Sequence, residues 1–250
     1  MQDLIFISVF DYGSRELGSN HLASLKKQGI KNYMAYVTDN DTFNYIKDQG
    51  FNVEYENIDE FIPMAPKDFG SREFNKFSYI RYKIMNRLLK QNKAVWYMDA
   101  DTVVLKDLNM FYRNFIANNS SYNIDMIVQN DLHMLCTGCV FFIPNKRTIA
   151  FTKDVYDHAT IEMNDQNYIG IVFRDQKPDV KFTVFDYMEF PNGLLYFDEK
   201  DKINLPEEMM QYKRQYRNNK NKTVVFVHAN WIVGVYKKID AMKERGLWFV

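Results

Sequence analysis

The chain is short of the features that mark several large classes of protein. It has two cysteines, Cys136 and Cys139, which are too few for a disulfide-stabilised secreted scaffold. Lys and Arg number 32, and Asp and Glu also number 32, so the basic excess usual in nucleic-acid-binding proteins is missing. No apolar run is long enough for a membrane span or a signal peptide. These absences predict a cytoplasmic protein with no transmembrane segment and no nucleic-acid partner.

The composition is nevertheless that of a protein with a large core. Hydrophobic residues make up 46% of the 250 residues and charged residues make up 26%, which is typical of a folded domain. No internal repeat, low-complexity tract or linker divides the sequence. We therefore predict a single domain that spans residues 1–250.

Apolar runs that alternate with helical patterns predict an α/β fold. The run from Leu4 to Phe10 is continuous, as in a strand buried on both faces. Further strands are predicted at 33–37, 51–55, 94–98, 124–128, 140–143 and 223–227. Helical spacing and caps predict helices at 17–28, from 41 or 42 to 50, and at 71–91, 146–158, 166–173 and 237–245. This order predicts a mixed, mostly parallel sheet flanked by helices.

Polar side chains follow three of the predicted strands. Asp39 follows the strand at 33–37, Asp99 and Asp101 follow the strand at 94–98, and His228 follows the strand at 223–227. In open α/β sheets, ligands bind beyond the carboxyl ends of the strands. The coincidence predicts a functional site at that edge of the sheet.

The segment Asp99-Ala100-Asp101 carries the strongest chemical signal. An apolar strand delivers two carboxylates onto a turn, and carboxylate oxygens are ligands suited to Mn²⁺ or Mg²⁺. A cation held there would neutralise the charge that grows on a diphosphate leaving group. The competing interpretation is a solvated turn that caps a helix. We predict that Asp99 and Asp101 bind the metal, and that Asp99 and Ala100 also contact the donor.

The segment after the last predicted strand adds ligands to this site. The imidazole of His228 can complete the metal shell. Gly234 would let the backbone approach a phosphate, and Lys237 or Lys238 would pair with it; we select Lys237. Taken alone, a histidine after a strand is more often structural.

The remaining candidates lie elsewhere in the chain. Asp165 and Gln166 are predicted near the reacting sugar, against the alternative that Asn164 or Asp165 only caps a helix. The C-x-x-C motif at Cys136 enters an apolar run instead of opening a helix, which disfavours a redox or zinc role and leaves Thr137 and Gly138 to line a sugar pocket. Predicted donor contacts complete the set: Asp39, Arg81 and Lys83, with Asn20 as a weaker candidate.

The ordered set of motifs resembles the nucleotide-diphospho-sugar transferase family that includes plant pectin xylosyltransferases and extensin arabinosyltransferases. The resemblance covers almost the whole chain. The matching segments are Asn20, Tyr36–Asp39, Phe77–Lys83, Trp96–Asp101, the Thr137-Gly138 turn, Asp165-Gln166, and His228–Trp231 through Gly234, Lys237 and Gly246–Trp248. Cys136 departs from the pattern, which has a polar residue there, and the membrane anchor of the plant members is not seen in this sequence.

The resemblance implies a GT-A fold, a UDP-sugar donor, Mn²⁺ or Mg²⁺, and retention of the anomeric configuration. Carried over to this chain, Asp99, Asp101 and His228 would bind the metal. Gly234 and Lys237 would meet the diphosphate, and Asp165 and Gln166 would lie near the sugar or the acceptor.

The prediction is therefore a metal-dependent glycosyltransferase that moves a hexose or pentose from a UDP-sugar to a glycan or glycoprotein hydroxyl. An inverting enzyme with Asp165 as general base is one alternative. A sugar nucleotidyltransferase and an inactive sugar-binding module are two others. Specificity is expected in the loops at 63–70 and 185–193.

Overall fold

A seven-stranded sheet lies at the centre of the computed structural model, which describes residues 3–58, 66–67, 69–119, 123–132, 134–197, 205–219, 221 and 223–250. Its strands are β1 (Leu4–Phe10), β2 (Tyr33–Val37), β3 (Val53–Tyr55), β4 (Ala94–Met98), β6 (Met126–Asn130), β7 (Leu135–Phe142) and β8 (Phe182–Val184). A second, two-stranded sheet consists of β5 (Thr102–Val104) and β9 (Phe226–His228).

Helices connect most of the strands. They are α1 (Arg15–Lys27), α2 (Asn40–Asp48), α3 (Arg72–Ser78), α4 (Ile80–Lys90), α5 (Leu108–Asn119), α6 (Lys146–Asp157), α7 (Asp165–Ile171), α8 (Gly193–Tyr196), α9 (Glu207–Asn218) and α10 (Val235–Glu244). No helix among the described residues combines the length and the apolar character needed to cross a membrane.

The strand order of the large sheet is β3-β2-β1-β4-β7-β6-β8. The first four strands are parallel, β7 runs antiparallel to both of its neighbours, and β8 is parallel to β6. The chain moves from β1 outward through β2 to β3 and then returns to the other side of β1 as β4. The order thus reverses between β1 and β4, which is where ligands bind in sheets of this kind.

The central strands are apolar throughout because both faces of the sheet are covered. Phe6 and Phe10 of β1 pack into one core cluster, while Ile7 and Val9 pack into the other. The same alternation in β4 places Trp96 on the first face and Tyr97 on the second. The mixed, mostly parallel sheet flanked by helices is therefore confirmed.

Several element boundaries differ from the sequence prediction. The single helix predicted at 71–91 is two helices, since the amides of Tyr79 and Tyr82 bond to carbonyls three residues back and tighten the turn between α3 and α4. Thr137 and Gly138, predicted on a turn, lie inside β7. Elements β5, β8, α5, α8 and α9 were not predicted.

Candidate functional site

Asp99, Asp101 and His228 converge beyond the carboxyl end of β4. The two aspartates follow β4 directly, and the antiparallel pairing of β5 with β9 sets Thr102 opposite His228. One ligand atom from each of the three side chains lies within 4.8 Å of the others. The Nε2 atom of His228 is 3.2 Å from Asp101 Oδ1 and 3.8 Å from Asp99 Oδ2. The structure thus brings together the three predicted metal ligands.

Gln129 fixes the orientation of the His228 ring by a hydrogen bond to Nδ1, the ring nitrogen that faces away from the carboxylates. The Gln129 amide donates from Nε2 to the carbonyls of Phe190 and Pro191, at 3.3 Å each, so its oxygen faces the histidine. That oxygen is 2.7 Å from His228 Nδ1, which therefore donates its proton to it. The Nε2 atom faces the carboxylates. A histidine ligand to a metal is held in this way by a hydrogen bond to its other ring nitrogen.

Because Gly138 has no side chain, the side chains of His228 and Asp99 can lie directly against its Cα. Its carbonyl accepts a hydrogen bond of 2.8 Å from the Asp99 amide, so β7 lies against the turn. A Cβ atom added at Gly138 would lie 2.3 Å from His228 Cε1 and 2.4 Å from Asp99 Oδ2. Two carboxylates and an imidazole facing a space that a methyl group would fill are a donor set suited to Mn²⁺ or Mg²⁺.

A lysine of α10 also contacts this group. The Lys238 ammonium is 2.5 Å from Asp101 Oδ2. Burial raises the pKa of Asp101, but the charge of Lys238 and the contact with His228 outweigh burial and hold the pKa well below its ordinary value. Asp101 is therefore a carboxylate throughout the neutral range.

Arg81 connects the Asp99 side of the group to Asp165. It is almost fully buried on α4, and its Nη1 atom is 2.8 Å from Asp99 Oδ1. Its Nη2 atom is 2.5 Å from Asp165 Oδ2, and Nε donates to the same oxygen at 3.0 Å. Burial lowers the pKa of Arg81, but these carboxylates and Tyr97 raise it well above its ordinary value. A buried cation with two anionic partners has a fixed position and charge.

Thr137 and Gln166 complete this side of the site. The Thr137 hydroxyl accepts a hydrogen bond of 2.9 Å from Arg81 Nη2. The Thr137 amide donates to Gln166 Oε1 at 3.3 Å. Asn164 caps α7 by accepting from the Asn167 amide, which leaves the Asp165 carboxylate free to bind Arg81. Asp165, Gln166, Arg81 and Thr137 thus form one connected network next to Asp99.

Other predicted donor residues are not brought to this network. Asp39 caps α2 through the Thr42 amide at 2.7 Å and accepts from the Tyr12 amide at 2.9 Å. Lys83 pairs with Glu56 at 3.4 Å.

Gly234 and Lys237, in the segment after β9, are exposed to solvent. Gly234 has φ +96° at the start of α10, and a Cβ atom there would meet nothing within 4 Å. Lys237 is exposed, whereas its neighbour Lys238 contacts Asp101. Ala100 is buried in the core that lies behind the turn.

Asn20, the weaker donor candidate, has a different role. Its Nδ2 atom donates to the Leu247 carbonyl at 3.0 Å, and its Oδ1 atom accepts from the Phe249 amide at 2.7 Å. The side chain is fully buried and fastens the C-terminal segment to α1. The expectation that Asn20 faces the donor is therefore wrong.

Three residues of the site were missed from the sequence. Tyr97 donates to Asp99 Oδ1 at 2.5 Å, and spacing by two along a strand would have placed both on one face. Gln129 directly follows the predicted strand at 124–128. The expectation that polar residues at the ends of strands mark the site, which identified Asp99, therefore applies to Gln129 as well. Asp131 accepts hydrogen bonds from Asn192 at 2.6 Å and from Trp231 at 2.8 Å, and no sequence pattern indicated these partners.

Of the two predicted specificity loops, the structure describes the second in full and the first only in part. Residues 63–65 and 68 of the first loop lie outside the described residues. In the second loop, Phe185 and Phe190 are buried and stack near Trp96, so they belong to the core. The Pro191 carbonyl supports Gln129.

Comparison with known proteins identifies the family and agrees with the fold. The sequence model that describes the nucleotide-diphospho-sugar transferases matches residues 28–242, and the chain belongs to this family. The glycosyltransferase class predicted from the sequence is thereby confirmed.

Three curated relatives are similar over most of this chain. A UDP-galactose:fucoside alpha-3-galactosyltransferase of Dictyostelium discoideum is 22% identical over 96% of the chain and 42% of its own length. A beta-arabinofuranosyltransferase of Arabidopsis thaliana is 25% identical over 98% of the chain and 47% of its own length. A UDP-D-xylose:L-fucose alpha-1,3-D-xylosyltransferase of the same plant is 23% identical over 73% of the chain and 52% of its own length. The chain thus spans about half the length of these relatives.

Solved structures share the fold. The galactosyltransferase LgtC superposes with a TM-score of 0.57 at 12% identity, covering 99% of this chain and 97% of that one. Mouse xyloside xylosyltransferase 1 superposes with a TM-score of 0.59 at 9% identity, covering 92% and 98%. The predicted GT-A architecture is confirmed.

Proposed function

We propose that this chain transfers a sugar from a UDP-sugar to a hydroxyl group of a glycan or glycoprotein, with Mn²⁺ or Mg²⁺ and with retention of configuration. The observation that carries the proposal is the Asp99–Asp101–His228 group beyond the carboxyl end of β4 in a member of this family. Two of the relatives are named for UDP-galactose or UDP-D-xylose and a fucose-containing acceptor, which supports the donor and suggests the acceptor to test first.

Each part of the network has a task in this reaction. Asp99, Asp101 and His228 would hold the cation, and a cation bound there would supply positive charge to stabilise the departing diphosphate. Lys238 lies on the first turn of α10 in contact with Asp101, where a cationic side chain adds to that stabilisation. Arg81 and Tyr97 fix the Asp99 carboxylate, and Thr137 and Gln166 bound the space beside Arg81 in which we place the donor sugar.

The environment of Asp165 favours retention over inversion. Its carboxylate is 1% exposed and receives two hydrogen bonds from Arg81 on one oxygen. A carboxylate neutralised in this way is a poor proton acceptor for an incoming hydroxyl group. We propose instead that Asp165 positions Arg81 and that the leaving phosphate takes the acceptor proton.

The first experiment measures UDP release from a panel of UDP-sugars, with Mn²⁺ or with EDTA, in the presence of a fucoside acceptor. We expect metal-dependent release from one donor that is lost in Asp101→Ala. The matched control is Asp240→Ala, an exposed carboxylate on α10, which should retain activity. Release of pyrophosphate from a nucleoside triphosphate and a sugar phosphate would instead indicate a nucleotidyltransferase. Donor binding without turnover would indicate an inactive sugar-binding module.

The stereochemistry of the product tests the mechanism separately. Proton NMR of the first product formed should show the anomeric configuration of the donor. The opposite anomer would contradict the proposed retention and assign the role of general base to Asp165, and Asp165→Asn would then abolish transfer.

A further inference from the structure

His21 is a fully buried histidine behind the turn that carries Asp99 and Asp101, and the proposed reaction does not use it. It lies on α1, and its Nδ1 atom is 2.9 Å from the hydroxyl of Thr102. That hydroxyl donates its one hydrogen to the Asp99 carbonyl at 2.7 Å. The His21 Nδ1 atom must therefore carry a proton and donate it to Thr102.

The other ring nitrogen of His21 has no comparable function. Within the described part of the chain, Nε2 is buried and has no hydrogen-bond partner. Burial lowers the pKa of His21 to about 4, so the ring is neutral near pH 7. A buried polar atom without a partner opposes folding. An apolar residue would avoid that cost, which indicates that the Nδ1 contact is the reason for a histidine here.

A second contact joins α1 to the same turn and strand. The Ser24 hydroxyl accepts a hydrogen bond of 3.0 Å from the Val104 amide and donates to the His21 carbonyl at 2.6 Å. Thr102 and Val104 are the two ends of β5, whose pairing with β9 sets the position of His228. Helix α1 thus holds the strand that links the two aspartates to the histidine.

We propose that His21 is a positioning residue: by donating to Thr102, it fixes the Asp99–Asp101 turn in the geometry that binds a divalent cation. The inference rests on the proposed function, because it assumes that the Asp99–Asp101–His228 group binds that cation. His21 acts through Thr102 and the backbone of Asp99, and it does not touch the cation.

The test is the affinity of the metal-free protein for Mn²⁺, measured by isothermal titration calorimetry without any substrate. His21→Asn places an amide donor where Nδ1 lies, and His21→Gln places it where Nε2 lies. We expect His21→Leu and His21→Gln to bind Mn²⁺ about tenfold more weakly, which is the lower end of the effect usual for residues that orient metal ligands. His21→Asn should bind within about threefold of the unchanged protein.

Two controls separate positioning from a general loss of stability. Leu25→Ala removes buried contacts from the same helix without touching Thr102, so it should lower the melting temperature and leave Mn²⁺ affinity unchanged. Thr102→Val removes the hydroxyl that receives the bond, and it should reproduce the tenfold loss even where His21→Leu fails to fold.

The outcomes distinguish the two proposals. Mn²⁺ affinity that is unchanged in His21→Gln and Thr102→Val would overturn the positioning role and leave the metal site intact. An equal loss in His21→Asn would overturn it too, because the donor would then be irrelevant. If the unchanged protein binds no Mn²⁺, or if Asp101→Asn binds it equally well, the proposed metal site is wrong and the role of His21 fails with it.

Discussion

At the scale of single residues, the site depends on the absence of a Cβ atom at Gly138 as much as on the side chains around it. Gly138 lies in β7 where its register with β6 shifts, but its φ is outside the left-handed region, so alanine would be compatible with its backbone, yet its Cβ would overlap His228 and Asp99. The neighbouring atoms belong to two of the proposed metal ligands, and Arg81, Tyr97 and Gln129 hold them in place. The constraint at this position is therefore on the site rather than on the fold.

Gly138→Ala should lower kcat/KM by at least about 100-fold, which corresponds to ~2.7 kcal/mol, while the protein still folds. Steady-state kinetics and circular dichroism measure the two properties. Gly170→Ala is the control, because a Cβ at Gly170 meets nothing within 4 Å. Full activity of Gly138→Ala would show that the three side chains do not act together.

The two neighbouring lysines of α10 also differ at this scale. Lys238 contacts Asp101, whereas Lys237 is exposed. We expect Lys238→Met to raise the KM for the donor about tenfold, the effect of losing one charge-assisted contact of ~1.4 kcal/mol. Lys237→Met should change this KM less than twofold. The reverse order would assign the diphosphate to Lys237, as the sequence predicted.

Sequence reasoning at the residue scale succeeded where position along a strand carried the information. Asp99, Asp101 and His228 were found because each follows an apolar run. Partners such as Asp131 and Trp231, which are 100 residues apart, could not be found in this way. Local periodicity carries no information on which distant segments meet.

At the scale of elements, the strand and helix types were mostly predictable and the connections were not. The sequence predicted β1, β2 and β4 with their observed bounds, because these strands are buried on both faces. Strand β5 was not predicted, and the strand predicted at 223–227 overlaps β9, but no pattern indicated the pairing of these two three-residue strands that builds the site. The reversed direction of β7 was also not readable, because alternation of side chains is the same in both directions.

One buried carboxylate joins three elements at the edge of the sheet. Asp125, just before β6, receives hydrogen bonds from Arg147 at 2.6 Å, Asn145 at 2.7 Å and the Lys181 amide at 2.9 Å. Burial raises the pKa of Asp125, but these donors outweigh it and hold the pKa below its ordinary value of 3.8. Because the pKa is lower in the folded protein, the charged form stabilises the fold above about pH 4, and this contribution is lost as the pH falls through the folded pKa.

Asp125→Asn should therefore lower the free energy of unfolding by about 2 kcal/mol at pH 7 and by less at pH 3.5. Urea titration at the two pH values measures the difference. Asp240→Asn, on the exposed face of α10, is the control and should change stability little at either pH. The same loss at both values would mean that the charge of Asp125 does not contribute.

At the scale of the whole molecule, the class and architecture were predictable because the ordered motifs extend along nearly the entire chain. The single-domain prediction for residues 1–250 stays a prediction. Donor sugar and acceptor depend on side chains around the site whose arrangement the sequence pattern does not specify.

Cation binding should stabilise the folded chain as a whole, because the three ligands meet only in the folded state. At a Mn²⁺ concentration 100 times Kd, the gain is about 2.7 kcal/mol, or roughly 5–10 °C in Tm for a chain of this size. Differential scanning calorimetry should show this shift, its reversal by EDTA and its loss in Asp101→Asn. An equal shift in Asp101→Asn would place the stabilising cation elsewhere.

The pairing of β5 with β9 also sets the moment at which the site comes into existence during synthesis. Asp99 and Asp101 leave the ribosome well before His228 and Lys238, since Lys238 follows Asp101 by 137 residues. Nascent chains that end before β9 contain the segments of β1, β2 and β4 and still lack one of the three proposed ligands. Capture of the cation would therefore require that synthesis has passed β9, and products that end before β9 would be inert rather than partly active.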